Sequence, residues 1–382
     1  MKHFGDITKI SGHTAPIVDC IIGGSPCQDL SVAGKRAGLD GERSGLYMEQ
    51  IRIVKEMRSE DEARGRTGVD IRPRYMVWEN VPGAFSSNKG EDFRIVLEEI
   101  AKVCDKDAVI PMPDKSKWAN CGCIMGDGWS VAWRVLDAQF WGTSDKPLPQ
   151  RRRRIALVAD FGGQSAPEIL FVSKSVSGNI EPSEPKREAA SCDAERGVGT
   201  DDCVRKSYTL KIRSGCEGGG GSENLVCYSV DQGGGKSACN VTEGKAPTLI
   251  CTHGGEPAVC YEQPKTRYIV RRLTPLECER LQGYPDGWTD IGEWVDSKGK
   301  KRQTSDAARY KALGNSIALP PWKWVLKRLC ACYERDATMA SLFDGIGGFP
   351  YLWEQLNGKG TCLWASEIEE FPMAVTKVRI GE

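Results

Sequence analysis

The chain has 382 residues, 40% hydrophobic and 27% charged, enough for a large buried core with a smaller unit beside it. Lys plus Arg number 52 and Asp plus Glu also 52, which excludes a globally basic nucleic-acid binder; affinity for a polyanion has to come from local clusters. No apolar run is long enough to span a membrane and the first residues lack a signal-peptide core, so the expectation is a cytoplasmic protein.

Residues 16–23 form an apolar run ending in a glycine-rich turn, which reads as a buried strand. Residues 47–57 have helical periodicity, and a short strand over 74–78 ends at Glu79-Asn80-Val81-Pro82. A helix over 93–103 and a strand over 155–159 follow. Such alternation predicts a parallel, doubly wound α/β sheet. Across 162–266 the texture changes to glycine, serine and short polar stretches, with β-like pieces at 207–212 and 246–250. This reads as a loop-rich β unit inserted into the α/β one, of the kind that carries recognition. A disordered linker is the alternative, and the recurring apolar pieces argue against it. The tail then supplies a strand over 338–343, a tight turn over 344–348 and a helix over 349–356 stopped by Asn357-Gly358. A second strand over 361–365 has Glu367 and Glu369 at its end. That is a complete nucleotide-binding βαβ half, placed last instead of first.

There are 16 cysteines but no Cys-x-x-Cys pair, and only three histidines. Cys121/Cys123 and Cys330/Cys332 are weak zinc signals, and the expectation is that most of the cysteines are reduced small hydrophobes, with no metal. Two basic clusters stand out: Arg151 to Arg154, and Lys298, Lys300, Lys301 and Arg302.

Glycines in the turn 343–348 let backbone approach a ligand, and an acid about 20 residues further on suits ribose hydroxyls. The spacing is not that of a dinucleotide fingerprint, so an adenosyl cofactor, a dinucleotide and a plain tight turn all stay open from this segment. Pro26-Cys27-Gln28 follows the first buried strand at its carboxyl end, where open α/β sheets bind ligands. A cysteine there is placed to be a nucleophile if its thiolate is favoured; an inert thiol after a turn is the alternative. Glu79 stands at another strand end. If 150–155 is extended, Arg152 and Arg154 share a face.

Together, Pro26-Cys27-Gln28, Glu79-Asn80-Val81 and Gln150-x-Arg152-x-Arg154 resemble motifs IV, VI and VIII of the cytosine-C5 methyltransferase family. Residues 272–285, Leu313-Gly314-Asn315-Ser316, the turn 343–349 and Glu367 resemble motifs IX, X, I and II, and Gly5-Asp6-Ile7-Thr8 resembles motif III. The order is therefore permuted: III, IV, VI, VIII, IX, X, then I and II. Residues 143–149 make a longer link before Gln150 than the family has.

The resemblance implies a circularly permuted, Rossmann-like S-adenosylmethionine-dependent methyltransferase sheet with an inserted β-rich target recognition domain. The divisions would be 1–163 and 306–382 for the catalytic domain and 164–305 for recognition. It implies transfer of a methyl group to C5 of a flipped-out cytosine, with Cys27, Glu79, Arg152 and Arg154 as catalytic residues. The cofactor would lie on Phe343, Asp344, Gly345, Ile346, Gly347, Gly348, Glu367, Ile368, Asp6, Ile7, Pro26, Leu46, Asn315 and Ser316. Gln28, Ser31, Arg271 and one of Thr209 and Thr248 would meet DNA. The implied partners are double-stranded DNA and a cognate restriction endonuclease, and the implied state is a monomer. An RNA cytosine-C5 methyltransferase and an inactive DNA-binding relative are the alternatives.

Overall fold

Alternate residues of the central strands belong to opposite cores. In β2 (Cys20–Gly23), Cys20 and Ile22 enter one core and Ile21 the other. In β3 (Tyr75–Asn80), Tyr75 and Val77 oppose Met76 and Trp78 in the same way. This period-two division of an apolar strand is what a sheet buried on both faces requires. The computed structural model describes residues 1–25, 45–143, 146–172, 226–228, 231–232, 239–240, 258–263 and 267–381. The β-like pieces at 207–212 and 246–250, with Thr209 and Thr248, lie outside the described residues, as do Pro26, Cys27, Gln28 and Ser31.

The main sheet also contains β1 (Lys2–His3), β4 (Cys121–Met125), β5 (Ser130–Asp137), β6 (Arg153–Asp160), β7 (Met339–Leu342) and β8 (Cys362–Ser366). Its strand order is β1-β8-β7-β2-β3-β6-β5-β4. The five strands from β1 to β3 run parallel. Beyond them β6 is antiparallel to β3, β5 to β6 and β4 to β5. The all-parallel expectation is thus corrected to a mixed sheet. A tight turn joins β4 to β5, and no described crossover helix separates β5 from β6, so each chain returns antiparallel.

Helices α1 (Leu46–Ala63) and α2 (Glu91–Ala101) cover the Ile21 face through Tyr47, Ile51, Met57, Phe93 and Leu97. The other face takes α3 (Ala166–Leu170), α4 (Pro275–Gln282), α5 (Asp306–Asn315), α6 (Leu319–Cys330), α7 (Gly348–Asn357) and α8 (Glu370–Ile380). Helix α4 begins in a capping box, with Thr274 and Glu277 each bonding the other's backbone, and stops at left-handed Gly283. Leu170 and, from the far end of the insert, Leu273, Cys278 and Trp288 are buried in the same core as β2. Within the insert, Val226–Tyr228, Ala258–Gln263 and Arg267–Arg272 form a three-stranded antiparallel sheet.

The tail is internal to the architecture. β7 lies between β2 and β8, and β1 pairs with β8 from the far side. The Met1 ammonium donates to the Gly381 carbonyl at 3.3 Å. Among the described residues no helix is long and apolar enough to cross a membrane.

Candidate active site

The chain leaves β7 toward β8 on one side, whereas β2 leads to β3 on the other. The crevice beyond the carboxyl ends of β7 and β2 is therefore the switch point at which such sheets bind ligands. In register, Leu342 pairs with Gly23 and Gly23 with Trp78. Phe343-Asp344-Gly345 and Gly24-Ser25, which follow β7 and β2, and Glu79, near the end of β3, are thereby set in a row along one sheet edge.

The glycine turn has three residues with positive φ: Phe343 at 55°, Gly345 at 58° and Gly347 at 76°. A Cβ on Gly345 would meet nothing within 4 Å, so the Cα face of the turn opens there onto free space, the cradle that a ligand's close approach needs. Glu367 fixes this turn against the end of β8. One of its carboxylate oxygens accepts from the Gly345 amide at 2.7 Å, the other from Ile368 and Glu369 amides at 2.7 and 2.9 Å. Ile368 beside it is 67% exposed, an apolar platform at the strand end. Asp6 follows β1, and its carboxylate accepts from the Thr8 amide and hydroxyl, which hold it below the usual carboxylate range. Ile7 is buried, and Leu46 opens α1 and packs on the Ile21 core. Asn315 is exposed at the end of α5, and buried Ser316 shares a 2.5 Å hydrogen bond with the Tyr284 hydroxyl.

Asp344 does not face the cradle. It is buried, accepting from the Ser341 hydroxyl at 2.6 Å and the Thr376 hydroxyl at 3.3 Å. Burial pushes its carboxyl up to about 7, with the Glu367 carboxylate adding to the rise and the two hydroxyls opposing it. An acid whose pKa rises on folding binds more protons folded than unfolded between about pH 4 and 7. Stability conferred by the neutral acid is present below that window and is lost as pH rises through about 7. An amide cannot ionise, so Asp344→Asn should melt several degrees above wild type at about pH 8.5. The difference should close toward about pH 4; a pH-independent difference would contradict the burial argument.

The catalytic candidates divide unevenly. Glu79 and Arg154 meet, with Nε to Oε1 at 2.7 Å and both side chains largely buried. Gly24 makes room for this carboxylate, since a Cβ there would stand 2.9 Å from Glu79 Oε2. Arg152 immediately precedes β6 and is buried, between exposed Arg151 and Arg153. Its guanidinium donates to the Gly314 carbonyl at 2.9 Å and to the Ser316 carbonyl. Arg152 and Arg154 turn inward between exposed Arg151 and Arg153, but they meet different partners: Arg152 braces residues 314–316, and Arg154 holds Glu79. Arg153 reaches Asn120 at 3.4 Å. Arg151 and Arg153 line a cavity of about 1000 Å³ with Arg134, Phe140 and Trp141. In the second basic cluster, Lys301 and Arg302 are paired with Glu293 and Asp296 at 2.8 and 2.9 Å.

Ser25, just beyond β2, is held by two groups distant in the chain. Trp78 Nε1 and Asn80 Nδ2 both donate to Ser25 Oγ, at 3.0 and 3.1 Å, and all three are buried. Only Asn80 had a signal, inside Glu79-Asn80-Val81. Arg271 pairs with Glu277 at 2.7 and 2.8 Å and so ties the insert's last strand to α4. Among the described residues no group of three or more His, Cys, Asp or Glu side chains could hold a metal.

A mostly parallel, doubly wound sheet with a glycine turn and strand-end acids at its switch point defines a Rossmann-like methyltransferase fold. Residues 1–103 and 124–331 match the C-5 cytosine-specific DNA methylase model, and the chain belongs to that family. The tail, β7 to α8, lies outside that match; its place between β2 and β1 completes the sheet. The chain is 28% identical over 441 residues to a protein of Escherichia phage P1 named DNA N-6-adenine-methyltransferase, covering 88% of this chain and 56% of that one. It is 31% identical over 324 residues to type II methyltransferase M.BsuFI of Bacillus subtilis, covering 85% and 60%. With type II methyltransferase M2.BsuMI of Bacillus subtilis strain 168 it shares 24% identity over 326 residues, covering 85% and 62%. The chain thus spans about three-fifths of the length of these relatives.

Proposed function

We propose that this chain is a DNA (cytosine-5-)-methyltransferase that uses S-adenosylmethionine and Cys27 as nucleophile. The observation that carries the reading is the Glu79–Arg154 pair, set at the sheet end beside Gly24 and the start of the Pro26-Cys27 loop. Cytosine C5 is a poor nucleophile, and addition of the Cys27 thiolate to C6 moves electron density onto C5. Glu79 would hold N3 and the exocyclic amine as charge develops on the ring, and Arg154 would hold O2. Removal of the C5 proton then lets Cys27 leave C6. Arg152 would act through residues 314–316 rather than on the base.

The open cradle at Gly345, the Glu367 carboxylate, exposed Ile368, Asp6 and Asn315 suit a purine nucleoside with a short charged arm. They would hold the cofactor, with Phe343, Gly347 and Ser316 shaping the pocket and Pro26 and Leu46 closing it. When bound, it supplies an electrophilic methyl group on sulfur. The target recognition region is placed in 164–305, with Thr209 or Thr248, Gln28, Ser31 and Arg271 toward the bases. Arg151 and Arg153 offer cations for phosphates beside the base site.

The name of the phage P1 relative favours a second reading, N6 methylation of adenine. That amine attacks a methyl group directly and gives Cys27 no task. The test is to incubate the purified chain with duplex DNA and methyl-labelled S-adenosylmethionine, then identify the nucleosides by mass spectrometry. Labelled 5-methylcytosine is expected. N6-methyladenine alone would overturn the cytosine reading, and label in transfer RNA but not DNA would move the substrate to RNA.

A further inference from the structure

The glycine turn is not self-supporting. Phe343 is left-handed without being glycine, and two of the next four residues are left-handed as well. A peptide bent in this way keeps its shape only if its neighbours fix it. Ser366 and Glu367 fix it from the β8 side, through the amides of Asp344 and Gly345. The opposite side is held from the segment after α4. Trp288 Nε1 donates to the Ile346 carbonyl at 2.9 Å, in a buried contact. The Tyr284 hydroxyl occupies the space that a Cβ on Gly348 would need, 2.4 Å away, and bonds Ser316 Oγ at 2.5 Å. The two rings lie 5.6 Å apart, and Trp288 packs on Tyr351 of α7 at 4.7 Å. Arg379 of α8 grips the same segment from behind, donating to the Trp288 and Asp290 carbonyls at 2.8 and 2.9 Å.

We infer that Trp288 and Tyr284 are positioning residues for the cofactor turn: they set the Ile346 peptide and the start of α7, and so the open Cα face at Gly345. Neither reaches the open face at Gly345, where a Cβ would meet nothing within 4 Å. The inference rests on the reading of this turn as the S-adenosylmethionine site. Removing the indole donor while keeping an aromatic ring leaves the buried Ile346 carbonyl without that partner. The Trp288→Phe chain should bind S-adenosylhomocysteine about tenfold more weakly by isothermal titration calorimetry. Its KM for S-adenosylmethionine should rise by a similar factor, with kcat within about twofold of wild type, because the base site is separate. Tyr284→Phe, which keeps the ring and loses only the hydroxyl, should weaken binding about threefold and decides the matter if the tryptophan variant unfolds. Unchanged cofactor affinity in folded variants overturns the inference while leaving the site assignment intact, provided that wild type binds. A fall in kcat at constant cofactor KM also overturns it. Failure of wild type to bind S-adenosylhomocysteine removes both the inference and the site.

Discussion

Replacing Cys27 with serine should lower methyl transfer by at least about a thousandfold while DNA binding stays within a few-fold of wild type. A hydroxyl near neutral pH is far less nucleophilic than a partly ionised thiol. The covalent step gives a second readout. With 5-fluorocytosine in the target DNA, the thiolate adds at C6 and the methyl group joins C5. Fluorine cannot then leave as the proton does, so Cys27 stays attached. Wild type should form a denaturant-resistant adduct with such DNA, and Cys27→Ser should form none. Near-normal turnover by the serine variant would remove the mechanism, and an adduct mapped by mass spectrometry to another cysteine would reassign the nucleophile.

Deleting residues 337–382 should abolish cooperative unfolding altogether. β7 is hydrogen-bonded to β2 and β8, so its loss exposes the edge of β2 and strands β1 without a partner. The deletion also removes Met339, Leu342, Ile346, Phe349, Leu352, Trp353 and Trp364 from the two cores. At roughly 1.5–3 kcal/mol for each buried large side chain, the lost burial exceeds about 10 kcal/mol, comparable with the whole stability of a typical domain. The complementary variant moves the break without removing a contact. The Met1 ammonium already meets the Gly381 carbonyl, so a short linker can join the ends. Reopening between Tyr333 and Glu334 keeps Arg335 and Thr338 on the Asp19 carboxylate, with Arg335 at 2.6 and 2.8 Å. Thermal melts with and without S-adenosylmethionine should show a cooperative transition, raised by the ligand, for the parent and the reopened chain, and none for the deletion. A folded, ligand-responsive deletion would make the tail an appendage.

The sequence by itself determined five of the eight strands of the main sheet and the polar residues at their ends. Apolar runs such as 20–23, 75–78 and 155–159 can only be buried, and their motif residues follow directly in the chain, so Glu79 and the 343–348 turn were legible at once. The permuted order was legible for the same reason, because each motif is a local string. Lines of chain do not show direction of pairing, and the antiparallel β6, β5 and β4 came only with the sheet. Nor could period-two spacing say what each arginine meets: the Gly314 and Ser316 carbonyls take Arg152, and the Glu79 carboxylate takes Arg154. The supports of the site were invisible for a deeper reason. Ser25 with Trp78 and Asn80, Trp288 with Ile346, and Asp344 with Thr376 are hydrogen bonds between residues distant in the chain, and a buried donor has many candidate acceptors until packing leaves it one.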